Sequence, residues 1–250
     1  MEVLLRVEGI SKSFGSVIAL NDVSFEIYQN EVVGLVGDNG AGKSTLFKIL
    51  SGNFPPDRGS IYLDGTKVNF KSSIDAKKMG IETVYQDLSL CSNLDSTSNL
   101  FIGREITKNF GGLKILQKRE MENKAAEVMK KIGINMPSLK ERVEFLSGGQ
   151  RQAVALGRFV AWSQNLALLD EPMAALGVRE TRKVLELILQ IKKEKELSII
   201  MVSHNLQHVF EVADRIIVLR HGNIVGIRNK SSTDPEEIVG LITGAISIKK

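Results

Sequence analysis

The period of the apolar residues changes several times along the chain, and each change marks an element. Residues 3–8 and 24–28 alternate and are rich in Val, Phe and Ile, which predicts two half-buried strands. Residues 32–36 form a continuous apolar run, as a fully buried strand does, and residues 46–50 then repeat apolar positions at helical spacing. That helix is expected to stop at Ser51-Gly52, with Gly52 just outside its last turn. Residues 59–69 read as a hairpin turning at Asp64-Gly65, and 81–85 as a strand with Gln86 at its end. From 87 to 162 the texture becomes helical segments between polar loops. Residues 119–132 there place Met121, Ala125, Val128 and Ile132 on one face. Strand character returns at 165–170, a helix is predicted over 179–195, and 197–202 is a buried strand leading to Ser203-His204. Asn205 is placed to cap the next helix, 215–219 and 223–227 pair across His221-Gly222, and Asp234-Pro235-Glu236-Glu237 opens a last helix. The pattern is that of an α/β protein. Its core is expected at 1–86 plus 163–230 with antiparallel strands at the N-terminus, a helical subdomain at 87–162, and a terminal helix and tail at 231–250.

Between the buried strand at 32–36 and its following helix lies Gly37-Asp38-Asn39-Gly40-Ala41-Gly42-Lys43-Ser44-Thr45. Strand, glycine-rich turn and helix is the setting in which a phosphate-binding loop (P-loop) works. Successive backbone N–H groups in a tight turn converge on phosphate oxygens, and glycines keep side chains out of the way. The helix adds unpaired N–H groups and its positive dipole end. Lys43 supplies a full charge for the β- and γ-phosphates, and the Ser44 hydroxyl is a ligand for Mg²⁺. Chance produces such a spacing in roughly 1% of chains this long.

Composition narrows the field without redirecting it. A chain of 250 residues with 43% hydrophobic and 25% charged residues is an ordinary globular protein with ample core. The net charge of +4 is scattered, with pairs such as Lys192-Lys193 and Lys249-Lys250 but no basic stripe, which argues against a nucleic-acid partner. The single cysteine, Cys91, excludes an internal disulfide framework and fits a reducing compartment. No run reaches the roughly 18 apolar residues of a membrane span, and no signal peptide opens the sequence.

Further chemistry sits at strand ends. Four apolar residues precede Asp170-Glu171. In a parallel sheet that places Asp170 beside the phosphate loop as a holder of Mg²⁺, and Glu171 as acceptor of a proton from attacking water. His204, after another buried strand, is suited to a γ-phosphate oxygen, and Gln86 offers an amide oxygen to Mg²⁺ or water. Phe14, in a loop among small residues, has a ring available to stack on a base. The run Leu146-Ser147-Gly148-Gly149-Gln150 precedes a helix carrying Ala153, Leu156 and Val160, which makes a second anion-binding helix start. One nucleotide does not fill two such sites in separate subdomains, so each is expected to supply half of a site shared across a symmetric dimer.

These motifs together resemble the nucleotide-binding subunit of ABC transporters, over residues 3 to 240. The resemblance implies a P-loop NTPase (RecA-like) core with an antiparallel β subdomain and an inserted helical subdomain, in which two cassettes sandwich two ATPs. It assigns Gly37–Ser44 to the Walker A loop, Gln86 to the Q-loop, Ser147, Gly148, Gly149 and Gln150 to the signature acting in trans, and Asp170 to Walker B. Glu171 is then the catalytic base, His204 the switch histidine, and Phe14 the base-stacking aromatic. Residues 84–90, 99–105 and 171–178 are similar to the subgroup that imports simple sugars, where Gly177 stands in place of the usual aspartate. Met173 departs from the usual threonine, and many of that subgroup fuse two cassettes where this sequence holds one. Implied partners are a membrane permease reached through the 87–105 region, a solute-binding protein acting through it, and a second cassette, at the cytoplasmic face of the membrane. The competing class, a soluble ABC ATPase acting on DNA or ribosomes, is disfavoured because the 45–146 interval lacks heptads and only one cassette is present.

Overall fold

The computed structural model describes residues 2–136 and 138–246. The chain opens with β1 (Val3–Phe14), β2 (Val17–Tyr28) and β3 (Val32–Val36), then α1 (Lys43–Leu50), β4 (Arg58–Leu63), β5 (Thr66–Val68), α2 (Ser73–Lys78) and β6 (Ile81–Val84). There follow α3 (Ser96–Phe101), β7 (Thr107–Phe110), β8 (Leu113–Leu116), α4 (Lys118–Ile132) and α5 (Gly148–Trp162). The last part holds β9 (Leu166–Asp170), α6 (Val178–Lys195), β10 (Ser198–Val202), α7 (Leu206–Val212), β11 (Arg215–Arg220), β12 (Asn223–Asn229) and α8 (Pro235–Thr243).

The central sheet has six strands in the order β12-β11-β3-β10-β9-β6, parallel from β11 to β6 with β12 antiparallel at one edge. β3, β6, β9 and β10 are buried along their whole length, which is why β3, β9 and β10 read as apolar runs rather than alternating ones, while β6 buries Glu82 and Thr83 as well. One face packs on α5, α6, α7 and α8 through Phe159, Ile188, Val209 and Ile238. The other packs on α1 and on a four-stranded antiparallel sheet, β2-β1-β4-β5, through Leu46, Phe47, Leu5 and Ile27. A smaller cluster of Leu100, Phe101, Met121 and Ala125 joins α3 to α4.

Two expectations need correction, and one element goes unread. The first two strands run to residue 14 and from residue 17, so Phe14 ends a strand at a hairpin tip and does not sit in a loop. The tip pairs Ser13 with Ile18 and Phe14 with Val17 but stands in solvent, so burial imposes no alternation there. The stretch 87–162 is not wholly helical: β7 and β8 form an exposed hairpin about Gly111-Gly112, both with positive φ. The Gly-Gly pair between apolar flanks is itself a hairpin signal. The short α2 is also absent from the sequence reading, because six residues carry too few helical repeats to register. Residues 247–250 of the expected tail, with Lys249 and Lys250, lie outside the described residues.

Local capping explains why several helices start where they do. Asp234 accepts from the Glu237 N–H with Pro235 in the first turn, and Asn205 accepts from Gln207 and His208. The unusual sequence around Cys91 is organised by Asn99, which is fully buried within α3. Its Oδ1 accepts from Cys91 N–H at 2.8 Å, and its Nδ2 donates to the Cys91 and Asp95 carbonyls, each at 3.0 Å.

Candidate functional site

The carboxyl ends of β3, β9, β10 and β6 open on one cleft of about 420 Å³. It is lined by Phe14, Asn39, Gly40, Ala41, Gly42, Lys43, Ser44, Thr45, Gln86, Asp170, Glu171 and His204. Residues far apart in sequence meet because the parallel register aligns the strand ends, with Val202 beside both Leu35 and Asp170.

The glycine-rich turn leaves β3 at Val36 and enters α1 at Lys43. A side chain at Gly37 would collide with the Leu219 carbonyl oxygen, and one at Gly42 would lie 2.5 Å from that of Ala19. Gly42 has φ +106°, so backbone and packing both demand glycine there. Gly40, at φ +78°, has no heavy atom within 4 Å of where a Cβ would stand, so the loop is open on the cleft side. No side chain caps α1, which leaves its first-turn N–H groups available to an anion. Lys43 Nζ donates to the Gly37 carbonyl at 2.7 Å and the Asp38 carbonyl at 2.8 Å, folding the ammonium over its own loop. Burial lowers its pKa, with Glu171, Asp38 and Asp170 pulling the other way.

Three strands supply the opposite wall. Asp170, the buried last residue of β9, is separated from β3 by β10, roughly 10 Å at ordinary strand spacing. Burial raises its carboxyl, and Lys43, Lys48 and His204 counter that. Glu171 follows in a left-handed conformation, φ +49°, pinned by its N–H to the Val202 carbonyl at 3.0 Å. Its side chain is almost wholly buried, and His204 Nδ1 lies 2.8 Å from Oε1 while the imidazole is 69% exposed. The nitrogen is close without aligning its N–H, so Oε1 is left without a well-directed donor. Burial raises the Glu171 pKa, and the charge and backbone N–H of His204 offset part of that. Ser44, Gln86 and Asp170 also share a pocket beside the cleft, with Tyr85 and Asp87. Hydroxyl, amide and carboxylate oxygens together suit a hard cation such as Mg²⁺.

The 146–150 run stands apart from this cleft. Ser147 caps α5, accepting from Gln150 N–H at 3.3 Å, while Gln150 Oε1 accepts from Ser147 N–H at 2.9 Å. Gln150 is thus spent on shaping the helix start. Ser147 is exposed, and added methyls at Gly148 and Gly149 would meet Ala175 and Leu176 only at ordinary contact distances, 3.7 and 3.6 Å. The two glycines are therefore not required by packing within the chain; they keep the helix end bare.

Some residues at the site carried no sequence signal. Phe54 meets Phe14 edge-on, with ring centroids 5.6 Å apart and planes at 85°. Lys12 Nζ lies 5.7 and 5.4 Å from the two rings and 2.7 Å from Asp57, whose other oxygen accepts from Ser13 N–H. Arg158, deep in α5, donates to the Ser89 and Asn99 carbonyls, each at 3.0 Å. It thereby grips the segment after Gln86, where Leu88 and Ser89 both have positive φ. Only the folded chain brings these residues together.

A phosphate loop facing an acid pair across a parallel sheet, with an antiparallel sheet on one side and a helical insertion on the other, defines a nucleotide-hydrolysing cassette. Residues 20–174 match the ABC transporter family, and the chain belongs to that family as an ATP-binding, ATP-hydrolysing subunit. It is 47% identical over 243 residues to the xylose/arabinose import ATP-binding protein XylG of Sulfolobus acidocaldarius, covering 97% of this chain and 95% of that one. The fructose import ATP-binding protein FrcA of Rhizobium meliloti is 42% identical, with 98% and 95% covered. The ribose import ATP-binding protein RbsA of Caldanaerobacter subterraneus subsp. tengcongensis is 37% identical, and the match spans 98% of this chain but 48% of that protein. Among solved structures, the cassette MJ0796, a dimer bound to ADP and Pi in a post-hydrolysis state, superposes with a TM-score of 0.80 at 25% identity, covering 91% of this chain and 99% of that one. No helix of the described residues is long and apolar enough to cross a membrane.

Proposed function

We propose that this chain drives import of a simple sugar by hydrolysing ATP between two cassettes, bound to a membrane permease at its cytoplasmic face. The observation that carries the reading is the pairing of a buried, strained Glu171 with His204 opposite Lys43, while the exposed Ser147 helix end lies outside that cleft. The sugar class rests on similarity to the xylose/arabinose and fructose import proteins. In this reading the core is 1–86 plus 163–230, the signature subdomain 87–162 and the terminal helix and tail 231–250.

Phe14 stacks on the base. The loop from Gly37 to Thr45, with Asp38, Asn39, Gly40, Ala41 and Gly42, cradles the phosphates, and Lys43 swings from its loop carbonyls to the γ-phosphate. Glu171, raised by burial, takes a proton from the attacking water, and His204 holds the carboxylate in place and steadies the phosphoryl oxygens. Mg²⁺ would be held by Ser44, Gln86 and Asp170 and would neutralise charge between the phosphates. Ser147, Gly148 and Gly149 of a second cassette, shaped by its Gln150, close the site with helix-end N–H groups. Closure is passed to the permease through residues 87–105, and a solute-binding protein delivers the sugar on the far side.

Glu171→Gln tests the chemistry. Hydrolysis should fall by about 10²- to 10⁴-fold, the range for losing a general base, while ATP still drives the chain into a dimer on size exclusion. Near-normal turnover would remove Glu171 from the role. Uptake of labelled pentoses and hexoses in a strain lacking the gene tests the cargo, and unchanged uptake of all of them would overturn the sugar assignment.

A further inference from the structure

We infer that the β7–β8 hairpin is a membrane-surface contact that inserts its apolar face among anionic phospholipid headgroups. All eight strand residues are exposed, and the hairpin's ladder pairs only with itself. The register pairs Lys108 with Ile115 and Phe110 with Leu113, which puts these four on one face; Thr107, Asn109, Lys114 and Leu116 share the other. Phe110 and Leu113, at 74% and 72% exposure, flank the Gly111-Gly112 tip. A lone two-stranded ribbon is marginal in water, so one with an uncovered apolar face is built to gain its stability from a partner.

Charge identifies the partner. Residues 106–119 hold four basic residues, Lys108, Lys114, Lys118 and Arg119, and no acidic one. The nearest acids are engaged elsewhere: Glu105 accepts from Gly103 N–H, and Glu120 pairs with Lys124. Cytoplasmic loops of membrane proteins themselves carry excess Lys and Arg, so a wholly basic hairpin is repelled by them. An anionic headgroup layer complements it in both respects, with phosphates for the lysines and the acyl boundary for Phe110, Leu113 and Ile115.

The test is co-sedimentation of the full chain, without nucleotide or permease, with vesicles of phosphatidylcholine alone or with one-third phosphatidylglycerol at 0.1 M salt. Uptake should need the anionic lipid. Each basic residue at such a surface is worth about fivefold in partitioning, so K108Q/K114Q should lose roughly 25-fold. F110S/L113S should also abolish most binding, and both variants should keep the wild-type ATPase rate. Equal uptake of wild type and variants, or equal uptake by the two vesicle types, would overturn the inference. So would sedimentation only with phosphatidylcholine vesicles carrying the permease, which would make the hairpin a protein contact. Any of those failures leaves the assignment of the ATP site untouched.

Discussion

Truncating Phe54 should weaken nucleotide binding even though this residue does not line the nucleotide cleft. Phe14 is half exposed and meets its edge-on neighbour 5.6 Å away, which in the proposed reading holds the Phe14 face toward the base. An aromatic pair in this geometry is worth about 0.5–1.5 kcal/mol beyond the area it buries. In Phe54→Ala the ring of Phe14 is freed, so binding must reorder it, and the dissociation constant for ATP should rise about 2- to 12-fold. Phe14→Ala sets the ceiling, because losing base stacking outright costs about 1–3 kcal/mol, roughly 5- to 160-fold. The assay is a titration of ATP and of inorganic tripolyphosphate, which has no base for Phe14 to hold. Affinity for tripolyphosphate should stay unchanged in both variants. The double variant should bind ATP no more weakly than Phe14→Ala alone, since Phe54 acts only through Phe14. An equal loss for ATP and tripolyphosphate would show that the substitution disturbs the phosphate loop generally, and the bracing role would be refuted.

Two predictions concern pH. Burial holds Glu171 above the ordinary glutamate value of 4.5, and a base must be ionised, so the acid limb of kcat should have its midpoint above that value. In His204→Ala, which removes the offsetting charge, the residual rate should show that midpoint moved higher; a pH–rate profile that stays in the ordinary carboxylate range would count against the assignment. Glu82, 3% exposed on β6 and paired with Arg104 at 2.9 Å, is also raised, chiefly by burial against the opposing charges of Arg104, Lys77 and Arg158. The fold therefore binds its proton more tightly than the unfolded chain does. Between 4.5 and the raised value, this group's contribution declines as pH rises. Glu82→Gln should flatten the fall in Tm over that interval, and an unchanged slope would show that Glu82 does not titrate there.

How much the sequence discloses depends on how local the cause is. The phosphate loop is legible because Gly37 and Gly42 must be glycine for reasons of backbone and packing, and the helix follows at once. Buried strands such as β9 and β10 declare themselves by unbroken apolar runs, and α8 by Asp234 and Pro235. The meeting of Asp170, Glu171 and His204 with Lys43 was inferable only from the habit of parallel sheets to bring their carboxyl ends together. The brace from Phe54 to Phe14 spans 40 positions of turn and strand and leaves no periodic trace. The grip of Arg158 on Ser89 and Asn99 is equally silent, because an arginine inside an amphipathic helix ordinarily faces water. The hairpin at 107–116 is different in kind: its Gly-Gly turn was readable, but the surrounding helical texture masked it.

Ser147 caps, and Arg158 lies within, one helix of 15 residues, with roughly 16 Å of rigid rod between the two. Arg158 holds the Ser89 and Asn99 carbonyls, so the exposed serine end is joined through one rigid element to the segment that follows Gln86. If, as proposed, a neighbour's triphosphate seats at Ser147, the rod gives that event a stiff path toward the chain's own glutamine loop. Leu88 and Ser89, both left-handed, sit where that path meets the loop, in a conformation that side-chain-bearing residues adopt at a cost. The two halves of the proposed shared site are thereby joined through a single helix.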